Sequence, residues 1–268
     1  MLAPGPSRHF VAFDLETTGL DPATERVIEI GAVRFDETGR ELDRFEVLVN
    51  PCQPISPSAR AVHGIPDDAL VDCPRIHEVL PDFLTFLGEA TTTLLAHNAH
   101  FDASFLGHEF RRSQMEAPAH RVVDTLSLAR RARPDLPRHR LDALAEALNL
   151  ESQGQHRALA DSLRVKELWL SLNGSTYPAE HLVAYSLNGV LNPARVPLGW
   201  DRLAEAIARG QTVRMNYLGG TRGATPREVT PRGVVHRGGV AYLVAYCHLD
   251  DLEKSFRLDR VQRYDVVK

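Results

Sequence analysis

The first part of the chain is patterned as a series of β-strands, with apolar residues in alternating or continuous short runs. Three such runs cover residues 9–14, 27–36 and 42–49, and turn-forming sequences separate them. Because short connections join antiparallel rather than parallel neighbours, the runs predict three consecutive antiparallel strands that open a sheet.

From residue 76 onward the apolar spacing becomes helical and then alternates between helix and strand. The pattern predicts strands at residues 93–97 and 120–124, and helices at residues 76–87, 101–112, 125–132, 140–149 and 157–172. Strands followed by alternating helices and strands predict an α/β fold, with a mixed sheet flanked by helices.

A change in composition divides the chain into two domains. Residues 173–198 contain three prolines and two Asn-Gly pairs, which predicts a linker with one short helix near residues 179–187. An amphipathic helix and five short strand-like runs follow, a pattern typical of a small β-barrel. We therefore expect a larger first domain at residues 1–172 and a second domain at residues 199–268.

Charge is distributed unevenly between these domains. The whole chain has a net charge of -4, but residues 199–268 hold 12 Lys and Arg against 8 Asp and Glu. The C-terminal part is therefore basic, at +4, and the preceding 198 residues carry -8. A basic domain suits a phosphate backbone, although for the Arg count alone a general compositional bias toward Arg and Ala is the preferred explanation.

Targeting signals and cysteine pairs are missing from the sequence. The N-terminal segment has no apolar run of the length of a signal peptide, and no apolar stretch is long enough to span a membrane. The three cysteines, Cys52, Cys73 and Cys247, are scattered and show no C-x-x-C spacing. These features predict a cytoplasmic protein without disulfides or structural zinc.

Acidic residues at the ends of predicted elements are the main candidates for chemistry. Asp14 and Glu16 alternate along the first strand and therefore share a face, where two close carboxylates need a shared proton or a cation. Asp102 and Asp161 lie near the starts of two predicted helices, where acids are also common for purely structural reasons. His156 lies about 140° around an ideal helix from Asp161, which places it at or before the helix start.

Together these segments resemble the three motifs of the DEDD exonuclease superfamily, in its histidine-containing branch. The matching segments are D-x-E-T-T-G at 14–19, N-A-x-F-D-x-x-F-L at 98–106 and H-x-A-x-x-D at 156–161. In the other branch a tyrosine stands four residues before the last aspartate, and here that residue is Arg157.

The resemblance implies an RNase H-like fold and a metal-dependent reaction. It implies two Mg²⁺ or Mn²⁺ ions held by Asp14, Glu16, Asp102 and Asp161, with His156 as the general base. Carboxylate oxygens suit these hard cations. It also implies contacts with the end of a nucleic acid from Thr17, Thr18, Leu20, His63, Asn98, Phe101 and Phe105. For Phe105, core packing is an equally good interpretation.

The C-terminal residues 200–267 resemble a WYL domain, a small barrel of the SH3 or Sm type. The matching segments include Asn216-Tyr217, Val229 to Arg232, Tyr242 to Tyr246 and Phe256 to Arg260, but Ala241 replaces the Trp that gives the family its name. The resemblance implies binding of nucleic acid or a nucleotide-like anion through Arg214, Arg232, His236, Tyr242, Arg257 and Arg260.

These resemblances imply a 3'-to-5' exonuclease that hydrolyses DNA at single-stranded or frayed 3' ends in repair or proofreading and releases nucleoside monophosphates. An exoribonuclease of the same fold is an alternative, because the motifs contain nothing that senses a 2'-hydroxyl. A non-catalytic nucleotide sensor is a third reading. Single-stranded DNA is the expected partner and RNA the alternative, while the sequence indicates neither a polymerase partner nor an oligomeric state.

Overall fold

The computed structural model of the protein describes residues 8–150, 157–178, 181–187, 196–197, 199–219, 225–237 and 240–267. The chain divides into two compact units, residues 1–189 and 190–268, and each has its own hydrophobic core. No helix in the described ranges is long and apolar enough to cross a membrane.

The first unit is built on a mixed six-stranded sheet. Its strands are β1 His9–Thr17, β2 Val27–Asp36, β3 Glu41–Leu48, β4 Thr93–Ala96, β5 Arg121–Asp124 and β6 Ala184–Ser186. Their order across the sheet is β3-β2-β1-β4-β5-β6. The β1–β4 and β4–β5 pairs are parallel and the other neighbours are antiparallel, which confirms the predicted antiparallel opening of a mixed sheet.

Helices cover this sheet and complete the core. They are α1 Pro57–His63, α2 Ile76–Leu87, α3 His100–Arg112, α4 Thr125–Ala132, α5 Leu141–Ala147 and α6 Ala158–Ser171. Helix α6 packs on β1 and β2, where Trp169 contacts Phe10 and Phe10 stacks on Phe35. Burial of these large rings offsets part of the cost of ordering the helix, because each aromatic removes a large apolar area from water.

Two elements of the first unit differ from the sequence prediction. Residues 57–63 form helix α1, begun by the Ser56 side chain, which accepts a hydrogen bond from the Ala59 N–H at 3.2 Å. Residues 184–186 form strand β6 at the edge of the sheet, although the sequence predicted a linker with a short helix there. Only three residues pair with β5, too few for a clear strand pattern in the sequence.

The second unit contains helix α7 and one antiparallel five-stranded sheet. Its elements are α7 Asp201–Ala208, β7 Val213–Tyr217, β8 Arg227–Arg237, β9 Val240–Cys247, β10 Leu252–Arg257 and β11 Val261–Val266. The strand order is β10-β9-β8-β7-β11. Leu203 and Ile207 of α7 are buried with Val213, Met215 and Phe256 in the core of this unit.

The predicted closed SH3- or Sm-like barrel needs a correction. Strands β10 and β11 are the two edges of the sheet, and no pairing joins them in the part of the chain that the structure describes. Only Leu258–Arg260 separates them in sequence, a connection of at most about 15 Å. Since the edges of a flat five-stranded sheet lie about 19 Å apart, the sheet must curl strongly without closing.

Candidate active site

Asp14 and Glu16 lie on one face at the end of β1. Asp14 pairs with Gly31 of β2, and Glu16 pairs directly with Glu29. The strand reaches this point through the buried residues 10–13, so both carboxylates are presented at the rim of a rigid core. The alternation predicted from the sequence is therefore present.

Asp161 completes a three-carboxylate cluster from a distant part of the chain. It lies in the first turn of α6, and one carboxylate oxygen each from Asp14, Glu16 and Asp161 lie within 4.8 Å of one another. Arg164, one turn further along α6 and almost fully buried, donates to Oδ1 of Asp161. This pairing restrains the Asp161 side chain on the side away from solvent.

Asp102 lies beside this cluster but is not one of its three members in the described residues. It is buried in the first turn of α3, and its carboxylate accepts a hydrogen bond from the Leu15 backbone N–H. The link to Leu15 holds α3 against the strand segment between Asp14 and Glu16. The four acids thus come from three segments that meet at one end of the sheet.

The electrostatics of the cluster favour a cation. Burial raises the pKa of Asp14 well above its ordinary value, and the charges of Asp102, Glu16 and Asp161 raise it further. Burial likewise raises the pKa of Asp102 well above its ordinary value. Burial followed by the charge of Glu29 raises the pKa of Glu16 to about 8. Without a cation these acids therefore hold protons that they would lose in water.

His156, the predicted general base, lies outside the described residues. The residue that follows it, Arg157, is described and forms a bidentate ion pair with Glu29, whose side chain is fully buried. Glu29 is not among the site residues predicted from the sequence. Its signal was a single acid within the otherwise apolar strand segment 27–33.

Asp124 is a second supporting acid that the sequence analysis missed. From the end of β5, its Oδ1 accepts hydrogen bonds from the backbone N–H groups of Asn98 at 3.0 Å and Ala99 at 3.2 Å, which lead into α3. The same carboxylate caps α4 by accepting from the N–H groups of Leu126 and Ser127. Asp124 therefore ties together the starts of two helices, one of which carries Asp102.

Four of the predicted substrate-binding residues differ in their exposure. Leu20 projects into solvent with 84% of its surface exposed, and Asn98 is exposed with a left-handed backbone, φ 65°. Thr17 is buried, and its hydroxyl donates to the Gly19 carbonyl at 2.7 Å. His63 is buried at the end of α1, and this burial lowers its pKa.

Thr18 and Phe105, two further predicted substrate-binding residues, are interior residues of the first unit. The Thr18 hydroxyl lies in a buried network in which it accepts from the Arg26 N–H at 2.9 Å and donates to the Glu25 carboxylate. Phe105 is fully buried, with its ring centroid 4.8 Å from that of the partly buried Phe101. Both side chains pack in the interior of the first unit. Phe101 is more exposed than Phe105.

The predicted binding residues of the second unit are partly paired with neighbouring acids. Arg214 forms an ion pair with Glu228, and Arg257 forms one with Asp259. Arg260 is exposed, whereas Arg232 and Tyr242 are half-buried. His236 lies on β8, but its side chain is outside the part of the chain that the structure describes.

A cavity of about 990 Å³ lies in the first unit at the opposite end of β1 from the carboxylates. Its wall includes Arg8, Arg34, Arg121 and Trp169, and none of the predicted site residues. We do not identify this cavity as the active site. The groups that can act on a phosphodiester are the clustered acids, and none of them lines the cavity.

Two family models match the chain in separate regions. A model described as Exonuclease matches residues 11–168, and a WYL domain model matches residues 200–266. The first match includes all four acids of the site.

Curated relatives and a solved structure match the first region. The DNA polymerase III epsilon subunit of Treponema pallidum is 41% identical over 165 residues, which cover 61% of this chain and 75% of that protein. The PolC-type DNA polymerase III of Bacillus cereus is 40% identical over 153 residues, which cover 57% of this chain but a tenth (10%) of that much longer protein. Exonuclease X, solved with 5'-overhanging duplex DNA, has a TM-score of 0.50 and 30% identity and covers 64% of this chain and 95% of its own.

Proposed function

Because the chain belongs to the exonuclease family, we propose that it is a metal-dependent 3'-to-5' exonuclease that hydrolyses DNA and releases nucleoside monophosphates. The observation that carries this proposal is the three-carboxylate cluster of Asp14, Glu16 and Asp161, with oxygens within 4.8 Å. Half-buried acids at this spacing repel one another when they are ionised, and a divalent cation relieves that repulsion.

The donor set fits Mg²⁺ or Mn²⁺. All the ligands are carboxylate oxygens without a thiolate, which suits hard cations rather than Zn²⁺. Asp14, Glu16 and Asp161 would hold the metal, and Asp102, held by the Leu15 N–H, would support a second ion. Two such cations would neutralise charge on the attacking and leaving oxygens of the phosphodiester.

The protein groups around the acids provide the proton transfer and the positioning. His156 would take a proton from the attacking water, a task that suits an imidazole because its ordinary pKa is about 6.5. Leu20 and Phe101 would contact the terminal bases, and the exposed Asn98 and the Thr17 backbone would contact the sugar-phosphate. Apolar contacts with bases do not read sequence, so hydrolysis should tolerate every base.

DNA is the substrate that we propose, in repair or proofreading. Two of the curated relatives are a PolC-type DNA polymerase III and a DNA polymerase III epsilon subunit, and exonuclease X was solved with DNA. The second unit would bind the strand upstream of the hydrolysed end. Its exposed ion pairs, such as Arg214 with Glu228, contribute little to stability, so a phosphate can replace the acid at little cost.

Gel-resolved digestion of a 5'-labelled DNA strand tests this function. With Mn²⁺ or Mg²⁺ we expect a ladder that shortens from the 3' end, and no digestion with EDTA or with Asp161→Ala. A matched RNA strand should be digested more slowly. Release of the 5' label as a mononucleotide at the start would show the opposite polarity, and digestion that persists in Asp161→Ala would show that a contaminant is responsible.

A further inference from the structure

Glu29 is a buried carboxylate outside the predicted metal ligands, and it is bonded to the start of α6. Nε of Arg157 donates to both oxygens of Glu29, at 2.9 and 3.1 Å, and Nη2 donates to Oε1 at 2.6 Å. The backbone N–H of Ala158 donates to Oε2 at 3.0 Å. One carboxylate on β2 therefore holds both the residue that precedes α6 and the first residue of α6.

Helix α6 depends on this carboxylate because its own sequence supplies no cap. Arg157 occupies the N-cap position and makes no side-chain capping bond. The first N–H groups of a helix need acceptors from elsewhere, and a negative charge there is also favoured by the helix dipole. Glu29 supplies both the acceptor and the negative charge, and it does so from a strand more than a hundred residues away in sequence.

Gly31 and Ser162 fix the same helix one step further along. A Cβ on Gly31 would lie 2.1 Å from the Ala158 carbonyl carbon, so the backbone of α6 rests directly on β2. The Ser162 hydroxyl donates to the Gly31 carbonyl at 2.7 Å. With Glu29 and Gly31 on one face of β2, the start of α6 cannot slide or rotate freely on the strand.

We propose that Glu29 and Arg157 are a positioning pair for His156, the residue bonded directly to Arg157, and that the pair controls the hydrolysis rate rather than binding. The proposal rests on the proposed function. A general base acts only within hydrogen-bond reach of the proton that it accepts, and a displacement of about 1 Å can lower a rate about 100-fold. Arg157 donates hydrogen bonds to both oxygens of the buried Glu29, and a lysine side chain does not reproduce this geometry.

The test measures kcat and KM of the full chain on a short 5'-labelled DNA strand with Mn²⁺. Arg157→Gln should lower kcat about 10- to 100-fold and change KM by about twofold or less. The Mn²⁺ concentration that gives half of the thermal stabilisation should change little, because the charge of Arg157 has a smaller effect on the pKa of Glu16 than burial, Glu29 and Asp161 have. In a His156→Ala background, Arg157→Gln should cause no further loss of kcat, because the group that it positions is gone.

Arg26→Gln is the matched control. Arg26 and Glu109 form another bidentate pair, at 2.8 and 3.0 Å, on a fully buried acid in the same unit. This variant should lose thermal stability to an extent similar to Arg157→Gln but keep its kcat. If Arg157→Gln does not fold, Glu29→Gln replaces it with the same expected fall in kcat, since the amide keeps an acceptor for the Ala158 N–H. Its Mn²⁺ stabilisation should be equal or greater, because loss of the Glu29 charge lowers the pKa of Glu16.

Two results would overturn the inference while leaving the proposed function intact. The first is an equal loss of kcat from Arg157→Gln with and without His156. The second is a weaker Mn²⁺ stabilisation in parallel with kcat, which would assign the pair to the metal site. A wild type that hydrolyses no nucleic acid would overturn the proposed function and this inference together.

Discussion

At the residue scale, the first unit brings several acids together where ionisation is unfavourable. Asp102 is buried and Asp14 is half-buried, and the charges of Asp102, Glu16 and Asp161 all raise the pKa of Asp14. Replacing one acid therefore changes the protein in two opposite ways. It removes a metal ligand, and it relieves repulsion in the metal-free protein.

Asp14→Asn should separate these two effects. We expect a higher thermal midpoint than wild type in EDTA, because a neutral amide replaces the acid with the most acidic neighbours. Millimolar Mn²⁺ should then stabilise the wild type by about 2.7 kcal/mol at 100 times its Kd and leave the variant unchanged. Thermal scans with and without metal measure both. Equal metal stabilisation of the two proteins would contradict the proposed site.

The raised pKa of Glu16 predicts that the stability of the metal-free protein depends on pH. Its pKa is about 8 in the folded state and near 4.5 when unfolded, so between these values the folded state binds more protons. Stability must then fall as pH rises from about 4.5 to about 8, by at most about 1.4 kcal/mol per pH unit for this one group. Urea unfolding in EDTA at several pH values should show this slope, and Glu16→Gln should reduce it. A slope that is the same in both proteins would contradict the raised pKa.

At the element scale, the position of α6 on β2 determines whether the acids meet. Asp161 reaches Asp14 and Glu16 because the helix backbone approaches the strand at Gly31 without an intervening side chain. Asp124 has the corresponding role for α3, whose start it ties to α4. The acids of the active site therefore meet because the first turns of α3 and α6 are held against the strands of the sheet.

Gly31→Ala tests this close approach. The added Cβ would lie 2.1 Å from the α6 backbone, so the helix must move. We expect a loss of about 1–3 kcal/mol of stability and a large fall in kcat, measured by urea unfolding and by DNA hydrolysis. Gly210→Ala is the control, because it strains a left-handed backbone, φ 62°, where no atom lies within 4 Å of the new Cβ. It should cost about 1 kcal/mol and leave kcat unchanged.

At the scale of the whole molecule, the two units have separate cores. The core around Trp169 contains residues of the first unit, and the core around Met215 contains residues of the second. A fragment that ends before residue 190 keeps the first core and all six strands of its sheet. We expect this fragment to fold alone.

Deletion of residues 190–268 should therefore affect binding rather than chemistry. We expect unchanged turnover on saturating short oligonucleotides and weaker binding of longer single strands. The salt dependence of binding should become shallower, because fewer phosphates are neutralised. Binding isotherms at several salt concentrations measure both. Equal affinity of fragment and full chain for long strands at low salt would contradict a binding role for the second unit.

Local sequence patterns are enough to predict most elements of the first unit and the chemical type of the site. Apolar periodicity predicted β1 to β5 and helices α2 to α6, because buried faces repeat with the period of each element. The motif segments predicted the acids, because ligand residues have their own chemical identity wherever the chain folds. Strand β6 was not predicted, because three residues are too few to show a period. The open, curled form of the second sheet was not predicted either, because pairing between edge strands is not a local property of the sequence.

The residues that support these acids can be identified only after distant parts of the chain have been brought together. Glu29 and Asp124 act on segments 128 and 26 residues away, and nothing in their neighbouring sequence indicates those partners. Thr18 and Phe105 match substrate contacts by motif, but in the structure both side chains are buried. Burial and long-range contact depend on how distant elements pack, and a local pattern of residues does not contain that information.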